Sequence, residues 1–353
     1  MQDEYLWVQS QAERLISANS NFIDRHYIAF SKLTQLLIPE DCDKLNNLAY
    51  SGLKLISDKS FGDLSANHVS LFKIILNFDG SLPSYPVLNG LPYTSVFEDS
   101  PAKTLTDSRA ESLKTAIKAT GKITLFDKIV GTGFLVGPNI VMTNRHVAQL
   151  LAQETKSGWN FISDSFVDFE GETDNTITKL CKITKILYTP SARINSQKID
   201  HNKLDIAFLQ IHTVDNMPEP VNFNTSCGLD NGDDIFAIGF PVQQYKAHDA
   251  ADFLQKFFNR YLGSKKVAPG KIINCDCSYP GRKCHSASTL AGNSGSLIVK
   301  SNSESITAAI HYGGCMQPVK ENWCHDIAYF LNDATSAEIR KIIADTGCKI
   351  VSL

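Results

Sequence analysis

Apolar positions in the first eighty residues recur every three to four residues. Leu6, Ala12, Leu15 and Ile16 mark one stripe, and Tyr27, Phe30, Leu33, Leu36 and Leu37 a second; that spacing places side chains on one face of a helix. Pro39-Glu40-Asp41 restarts the chain as a helix entrance, followed by Leu45, Leu48, Leu53 and Ile56, since proline suits the first helical position. Ser65 to Asn77 carries Val69, Phe72, Ile75 and Leu76 in the same rhythm. Residues 1–80 are therefore expected to form a small helical bundle. Its apolar faces suit either packing and regulation within the chain or recognition of a protein partner, because the two look alike in sequence.

Residues 81–110 change character. Pro83, Pro86, Pro92 and Pro101 among Ser, Gly and Asn disfavour regular elements and predict a linker laid along a surface. Ser108 and Glu111 fit a capping box for a short helix ending before Gly121. Beyond it the period becomes that of strands: 122–126, 129–136, 140–143, 161–169, 181–187, 206–211, 235–240, 271–275, 296–300 and 307–311. Many short β segments punctuated by Gly, Pro and Asn predict an all-β barrel or sandwich over residues 111–353. Leu254, Phe257, Phe258 and Tyr261 mark a helix in the segment 249–262, either packed on the barrel or lying over a substrate, and a last helix spans Ser336 to Ala344 before Gly347.

The chain has 353 residues, 43% of them hydrophobic and 20% charged, with a formal net charge of -3. This composition gives no electrostatic pull towards nucleic acid, and no recognition motif for it is present. No apolar run approaches the length of a membrane span. The opening Met1-Gln2-Asp3-Glu4 lacks the charged-then-apolar order of a signal peptide, which points to the cytoplasm, with secretion or delivery into another cell by a different route as the alternative. Nine cysteines suit mostly reduced thiols. Cys275, Cys277, Cys284 and His285 could supply four metal ligands but do not repeat a standard zinc spacing, so no metal or cofactor is expected. Cys315 and Cys324 could close a loop in an oxidising compartment.

One segment carries chemistry. Thr289-Leu-Ala-Gly-Asn-Ser-Gly-Ser enters the apolar stretch Leu297-Ile298-Val299, which suits a serine displayed for attack on a carbonyl. Such a serine needs a histidine to take its proton and an acid to orient that histidine. His146, in Thr143-Asn-Arg-His-Val-Ala, and Asp205, in Leu204-Asp-Ile-Ala, are the suited partners of Ser294. Asp168 and Asp174 are alternative acids, but they lie in a polar, turn-like stretch. The order His, Asp, Ser, and Ser296 at the last position of the nucleophile turn, both depart from the Ser-acid-His order and Gly-x-Ser-x-Gly elbow of α/β-hydrolases.

Gly131-Thr-Gly-Phe-Leu-Val-Gly, the His146 block, the Asp205 block and Ala291-Gly-Asn-Ser-Gly-Ser together resemble the trypsin-like peptidases, nearest to the bacterial glutamyl endopeptidase group. The resemblance spans about residues 115–350. It implies a double six-stranded β-barrel of chymotrypsin type preceded by the small α-helical domain, and peptide-bond hydrolysis of a protein or peptide substrate. It also implies His146 as general base and acid, Asp205 as orienting acid, Ser294 as nucleophile, and the backbone N–H groups of Gly292 and Ser294 as oxyanion donors. Asn293 stands where trypsin has an aspartate that pairs with a new N-terminus, so that activation route is not expected. A catalytically inactive scaffold that binds through its helices is the competing reading.

By the same resemblance, Thr289, His311, Tyr312 and Gly313 line the pocket for the side chain before the scissile bond. A hydroxyl and a protonated imidazole would bind a carboxylate and give cleavage after Glu or Asp. A neutral His311 would instead read a glutamine amide. Gly313 and Gly314 leave room for the peptide backbone to pair alongside the strand.

Overall fold

The computed structural model of the protein describes residues 6, 8, 9, 12, 13, 22–75, 83–98, 100–156, 158–173, 177–195, 198–224, 228–242, 261–274, 281–302, 306–315, 321–333 and 336–351. Helices Phe22–Leu37, Cys42–Ser57 and Ala66–Ile75 realise the opening stripes. Phe30, Leu33, Leu37, Leu45, Leu53, Ile56, Val69 and Phe72 meet in one buried cluster. Leu6 is exposed, while Val8 and Ala12 are buried; Leu15, Ile16 and Leu76 lie outside the described residues. Among the described residues no helix is long and apolar enough to cross a membrane.

Two barrels follow. The first comprises Thr120–Leu125, Lys128–Gly137, Ile140–Thr143, Ser165–Asp168, Leu180–Tyr188 and Ala207–Ile211. It closes because Ala207–Ile211 pairs antiparallel with both Ile140–Thr143 and Leu180–Tyr188. The second comprises Asp234–Gly239, Lys266–Ile273, Arg282–His285, Leu297–Lys300, Ile306–Cys315 and Glu321–Asp326. Here Asp234–Gly239 closes the ring against both Lys266–Ile273 and Leu297–Lys300. Two closed six-stranded antiparallel barrels preceded by helices are the expected chymotrypsin-like architecture, and closure leaves neither ring with an unpaired edge. Phe134, Met142 and Phe208 of the first barrel share one apolar core with Ile238, Val267, Leu297 and Ile310 of the second.

The expected elements are displaced where tertiary pairing outweighs local pattern. The strand anticipated over 161–169 splits into Gly158–Phe161 and Ser165–Asp168. The one anticipated from Lys271 begins at Lys266 and runs through Pro269-Gly270, which lie opposite Phe236 and Ile235. Arg282–His285 and Glu321–Asp326 have no apolar alternation, since Arg282, His285, Asn322, His325 and Asp326 are polar and buried. They are strands because neighbouring backbones take up their N–H and C=O groups.

The proline-bearing stretch after residue 80 also contains regular structure, contrary to the expected linker. Tyr85–Leu88 pairs with Lys266–Ile273 and with Leu91–Pro92, and a 3-10 turn, Thr94–Phe97, and a helix, Lys103–Arg109, follow. A partner strand distant in sequence supplies what composition cannot show. Tyr85, Val96 and Phe97 enter the helical cluster, whereas Val87 enters the barrel core. Ser108 does not cap a helix: it lies inside Lys103–Arg109 and its hydroxyl donates to Leu105 O, the back-bonding open to serine inside a helix. Lys114–Ala119 is the short helix before Gly121. Tyr261 and Leu262 pack into the helical cluster, while Leu254, Phe257 and Phe258 fall outside the described residues. The closing helix is Ala337–Asp345.

Leu53 is fully buried in the helical cluster. Leu53→Ala is expected to lower the unfolding free energy by about 2–5 kcal/mol, measured as a shift of the urea midpoint.

Candidate active site

Asn144 follows the Ile140–Thr143 strand in extended conformation and is the N-cap of the helix Arg145–Leu151, which places His146 in its first turn. Asp205 lies just before the strand Ala207–Ile211, the neighbour of Ile140–Thr143. Three hydrogen bonds join these places. Asn144 Nδ2 donates to Asp205 O at 2.8 Å, His146 N–H donates to Asp205 Oδ1 at 2.9 Å, and His146 Nδ1 meets Asp205 Oδ2 at 2.6 Å. A carboxylate on Nδ1 holds the proton there and leaves Nε2 as the basic nitrogen.

The residues flanking His146 fasten its surroundings. Arg145 is buried, and its guanidinium donates to Ala192 O, Ser191 O, Thr189 Oγ1 and Glu154 Oε2. Gln149, one helical turn on, exchanges two hydrogen bonds with the backbone of Ile194. Together they hold the 189–194 segment beside His146. Behind Asp205 stands His325, whose Nε2 accepts the Asp205 N–H at 3.0 Å. Burial lowers its pKa to about 4, so it is a neutral acceptor at pH 7. Its ring stacks on Tyr312 at 4.2 Å between centroids, and the Tyr312 hydroxyl meets His201 Nδ1 at 3.1 Å.

Ser294 sits on a turn whose backbone is fixed on several sides. Asn293 N–H donates to Leu290 O, and Gly292, third in that turn, has φ +85°, the type II geometry that favours glycine there. Val242 N–H donates to Ala291 O at 2.6 Å. Because C=O and N–H of a trans peptide point in opposite directions, this bond turns the Gly292 N–H away from Val242. Among the described residues neither Gly292 N–H nor Ser294 N–H has a backbone acceptor, while Gly295 N–H donates to His311 O and Ser296 N–H to Asn293 O. Asn293 itself is buried, with Oδ1 accepting from Ser296 Oγ. Thr132 of the first barrel grips the turn: its N–H donates to Ser294 O and its hydroxyl to Gly292 O, both at 2.8 Å. Gly295 has φ +86°, and a Cβ there would lie 2.0 Å from Thr132 O.

A cleft of about 450 Å³ gathers His146, Asp205, Ser294, Thr289, His311, Tyr312 and Gly313, with Ile199, Gly314 and Asn322 beside them. No hydrogen bond joins Ser294 Oγ to His146 Nε2 among the described residues; such bonds tighten when substrate is bound. Asn322 Nδ2 donates to Ala287 O at 2.7 Å, which fixes its amide so that Oδ1 accepts the Thr289 hydroxyl proton at 2.6 Å. Thr289 thus presents lone pairs rather than a proton to the cleft. His311 is buried beside His285, with His285 Nε2 and His311 Nδ1 3.1 Å apart. Burial first, and then His146, lower the His311 pKa to about 3. The protonated imidazole expected for carboxylate binding is therefore absent near neutral pH.

Several other sequence expectations resolve here. Asp168 is committed elsewhere, accepting the N–H groups of Glu170 and Lys179 and lying 3.2 Å from Lys122 Nζ; Asp174 lies outside the described residues, as do Cys275 and Cys277. Cys284 packs with Tyr312 and Trp323 while the adjacent His285 meets His311. Neighbouring residues of one strand face opposite ways, so these two do not share an ion. Cys324 lies opposite His311 in the ladder, four residues from Cys315, and its thiol contacts Lys283 O at 3.7 Å. Across the bulge between His311 and Gly313, Cys315 lies opposite Glu321, three positions from Cys324; three strand residues span about 10 Å, beyond the reach of a disulfide. His325, Asn322 and Thr132 escaped sequence reasoning, and His285 entered only as a metal ligand. Asn322 and His325 stand three residues apart, on opposite faces of their strand, so no alternation marks them in the sequence.

Residues 131–306 match the family model of the trypsin-like peptidase domain, and strands on both sides of the matched stretch belong to the same two barrels. Among solved structures, neuropsin, a serine protease expressed in the limbic system of mouse brain, is similar over 65% of this chain and 96% of its own, with 16% identity and a TM-score of 0.44. The inactive form of the Rv3671c protease is similar over 70% of this chain and 96% of its own, with 17% identity and a TM-score of 0.40. An inactive mutant of Rv3671c from M. tuberculosis H37Rv covers 74% of this chain and 97% of its own, at 17% identity and a TM-score of 0.42.

His325 and His311 stay neutral in the fold far below their ordinary value of 6.5. Below pH 6.5 the unfolded chain binds protons that the folded chain refuses, so their stabilisation is complete above that pH and lost as pH falls. For His325 the loss is complete by about pH 4 and amounts to on the order of 3 kcal/mol. Unfolding temperatures measured from about pH 7.5 to 4 are expected to fall, and less steeply in His325→Gln, which keeps an acceptor but does not titrate.

Proposed function

We propose that this protein is a serine endopeptidase that works through an acyl-enzyme intermediate. The observation that carries the reading is the shared cleft: His146, held by two hydrogen bonds to Asp205, lines it with Ser294, next to two backbone N–H groups without backbone acceptors among the described residues. His146 Nε2 takes the Ser294 hydroxyl proton as Oγ attacks the substrate carbonyl, and the N–H groups of Gly292 and Ser294 receive the oxyanion. His146 then hands the proton to the departing amine. Water, activated by the same nitrogen, attacks the acyl carbonyl and releases Ser294. Asp205 keeps the imidazole in the useful tautomer and stabilises its cationic form.

For the side chain before the scissile bond, the pocket's chemistry favours glutamine over the glutamate or aspartate first expected. A carboxylate needs donors, yet Thr289 spends its proton on Asn322 and His311 is neutral. A primary amide matches what remains. Its NH2 can donate to Thr289 Oγ1, and its oxygen can accept from His311 Nε2–H, the tautomer present when His285 Nε2 donates to His311 Nδ1. Selection for glutamate would require substrate binding to protonate His311 against its burial.

Ser294→Ala is expected to lower kcat by about a million-fold and to abolish labelling by a fluorophosphonate probe. Full cleavage by that variant, or no cleavage of any peptide in a broad library by the wild type, would sink the reading and leave an inactive scaffold. With paired peptides differing only in Gln or Glu before the cleaved bond, the Gln peptide is expected to have the higher kcat/KM, in a ratio steady from about pH 6 to 8. A Glu preference that fades as pH rises would instead assign a protonated His311.

A further inference from the structure

The helical cluster is joined to the nucleophile turn by a short run of contacts on the second barrel. Tyr261 and Leu262 are buried in the cluster that the opening helices form with Tyr85, Val96 and Phe97. The next residue, Gly263, donates its N–H to Pro241 O at 2.7 Å. Val242, bonded to Pro241 in the chain, donates to Ala291 O at 2.6 Å. That bond sets which way the Ala291–Gly292 peptide faces, and so where the Gly292 N–H points.

The surroundings make the run stiff. Phe240 N–H is tied to Thr132 Oγ1 at 3.1 Å, so Pro241 and Val242 start from a fixed point. A Cβ on Gly292 would lie 2.5 Å from Phe240 O and 2.7 Å from Val242 Cγ2, showing how closely the two segments are pressed together. On the far side, the Tyr261 ring lies 4.0 Å from Lys266 Nζ, and Ser264 Oγ donates to Tyr261 O. Lys266 in turn pairs across the strand with Gly239 and with Pro86. Tyr261 is therefore the point where helices, the Tyr85–Leu88 strand and the second barrel converge.

We propose that Tyr261 and Leu262 are positioning residues through which the N-terminal helices hold the Ala291–Gly292 peptide in the orientation that offers an oxyanion donor. A type II turn differs from its type I counterpart mainly by the direction of its central peptide, so losing the Val242 bond would let that peptide turn over without unfolding the barrels. The helices thus make the donor permanent in the folded chain. The proposal rests on the serine-endopeptidase reading for its catalytic consequence, but the contacts can be tested without it.

The experiment uses the full chain carrying Tyr261→Ala, with Tyr261→Phe as the conservative control that keeps the ring. The expected result is a kcat about 10–100-fold lower with KM little changed, and a similar loss of affinity for a peptide aldehyde, whose hemiacetal oxygen needs the oxyanion donors. Tyr261→Phe should restore both. Amide exchange in the 288–296 peptide should quicken in Tyr261→Ala while exchange in the strand 128–137 stays as in the wild type. If Tyr261→Ala fails to fold, Leu262→Val gives the same readouts with a smaller cavity. A folded variant with unchanged kcat, aldehyde affinity and 288–296 exchange overturns the proposal, as does a rise in KM alone. Should the wild type cleave nothing, the peptidase reading fails, and the exchange comparison still decides the positioning role.

Discussion

Thr132 is the interaction on which the site depends. It lies on a strand of the first barrel, yet its N–H and hydroxyl hold the carbonyls of Ser294 and Gly292 on the second, and the same hydroxyl receives the Phe240 N–H. Its own carbonyl accepts the Thr143 hydroxyl one strand away, and Thr143 immediately precedes Asn144, the N-cap of the His146 helix. One buried residue thereby sets the turn that carries Ser294 against the barrel that carries His146 and Asp205. Both barrels also share an apolar core, but apolar contact is not directional. The hydrogen bonds supply the register between Ser294 on one barrel and the His146–Asp205 pair on the other.

His146 and Asp205 are held in the same manner, by polar groups taken out of water and satisfied. Asp205 accepts from His146 at both carboxylate oxygens, its carbonyl from Asn144, and its N–H is received by His325. A buried acceptor left without its donor costs about 1–3 kcal/mol, so each bond discourages any other arrangement of the pair. The stacked rings of His325 and Tyr312 carry that support to the wall of the cleft, since Tyr312 also lines it. Orientation of Asp205 and shape of the cleft are in this way parts of one packed unit.

Burial also decides what the pocket can read. The same imidazole would be a cation in water at mildly acid pH and is a neutral group inside this protein, because a charge buried without a counter-ion is costly. The proton of Thr289 is assigned by an amide that is itself oriented by Ala287 O. Thr289 and His311, expected from the sequence to bind a carboxylate, thus present a different pattern of donors and acceptors.

Chain order and local pattern were enough to indicate much of this protein. The alternating apolar runs marked most strands of both barrels, the three-to-four-residue stripes marked the helices, and His146, Asp205 and Ser294 could be chosen because each sits in a short motif whose local backbone suits its chemistry. What only the tertiary structure decided are the pairings between residues far apart in the chain: Thr289 with Asn322, 33 residues away, Asp205 with His325, 120 away, and Thr132 with Gly292, 160 away. The same is true of the strand at Tyr85–Leu88, hidden by prolines, and of Tyr261 in the helical core. The physical reason is one and the same. Periodicity records which face of an element is apolar, but the state of a proton, the direction of a peptide and the satisfaction of a buried polar group depend on neighbours brought there by folding.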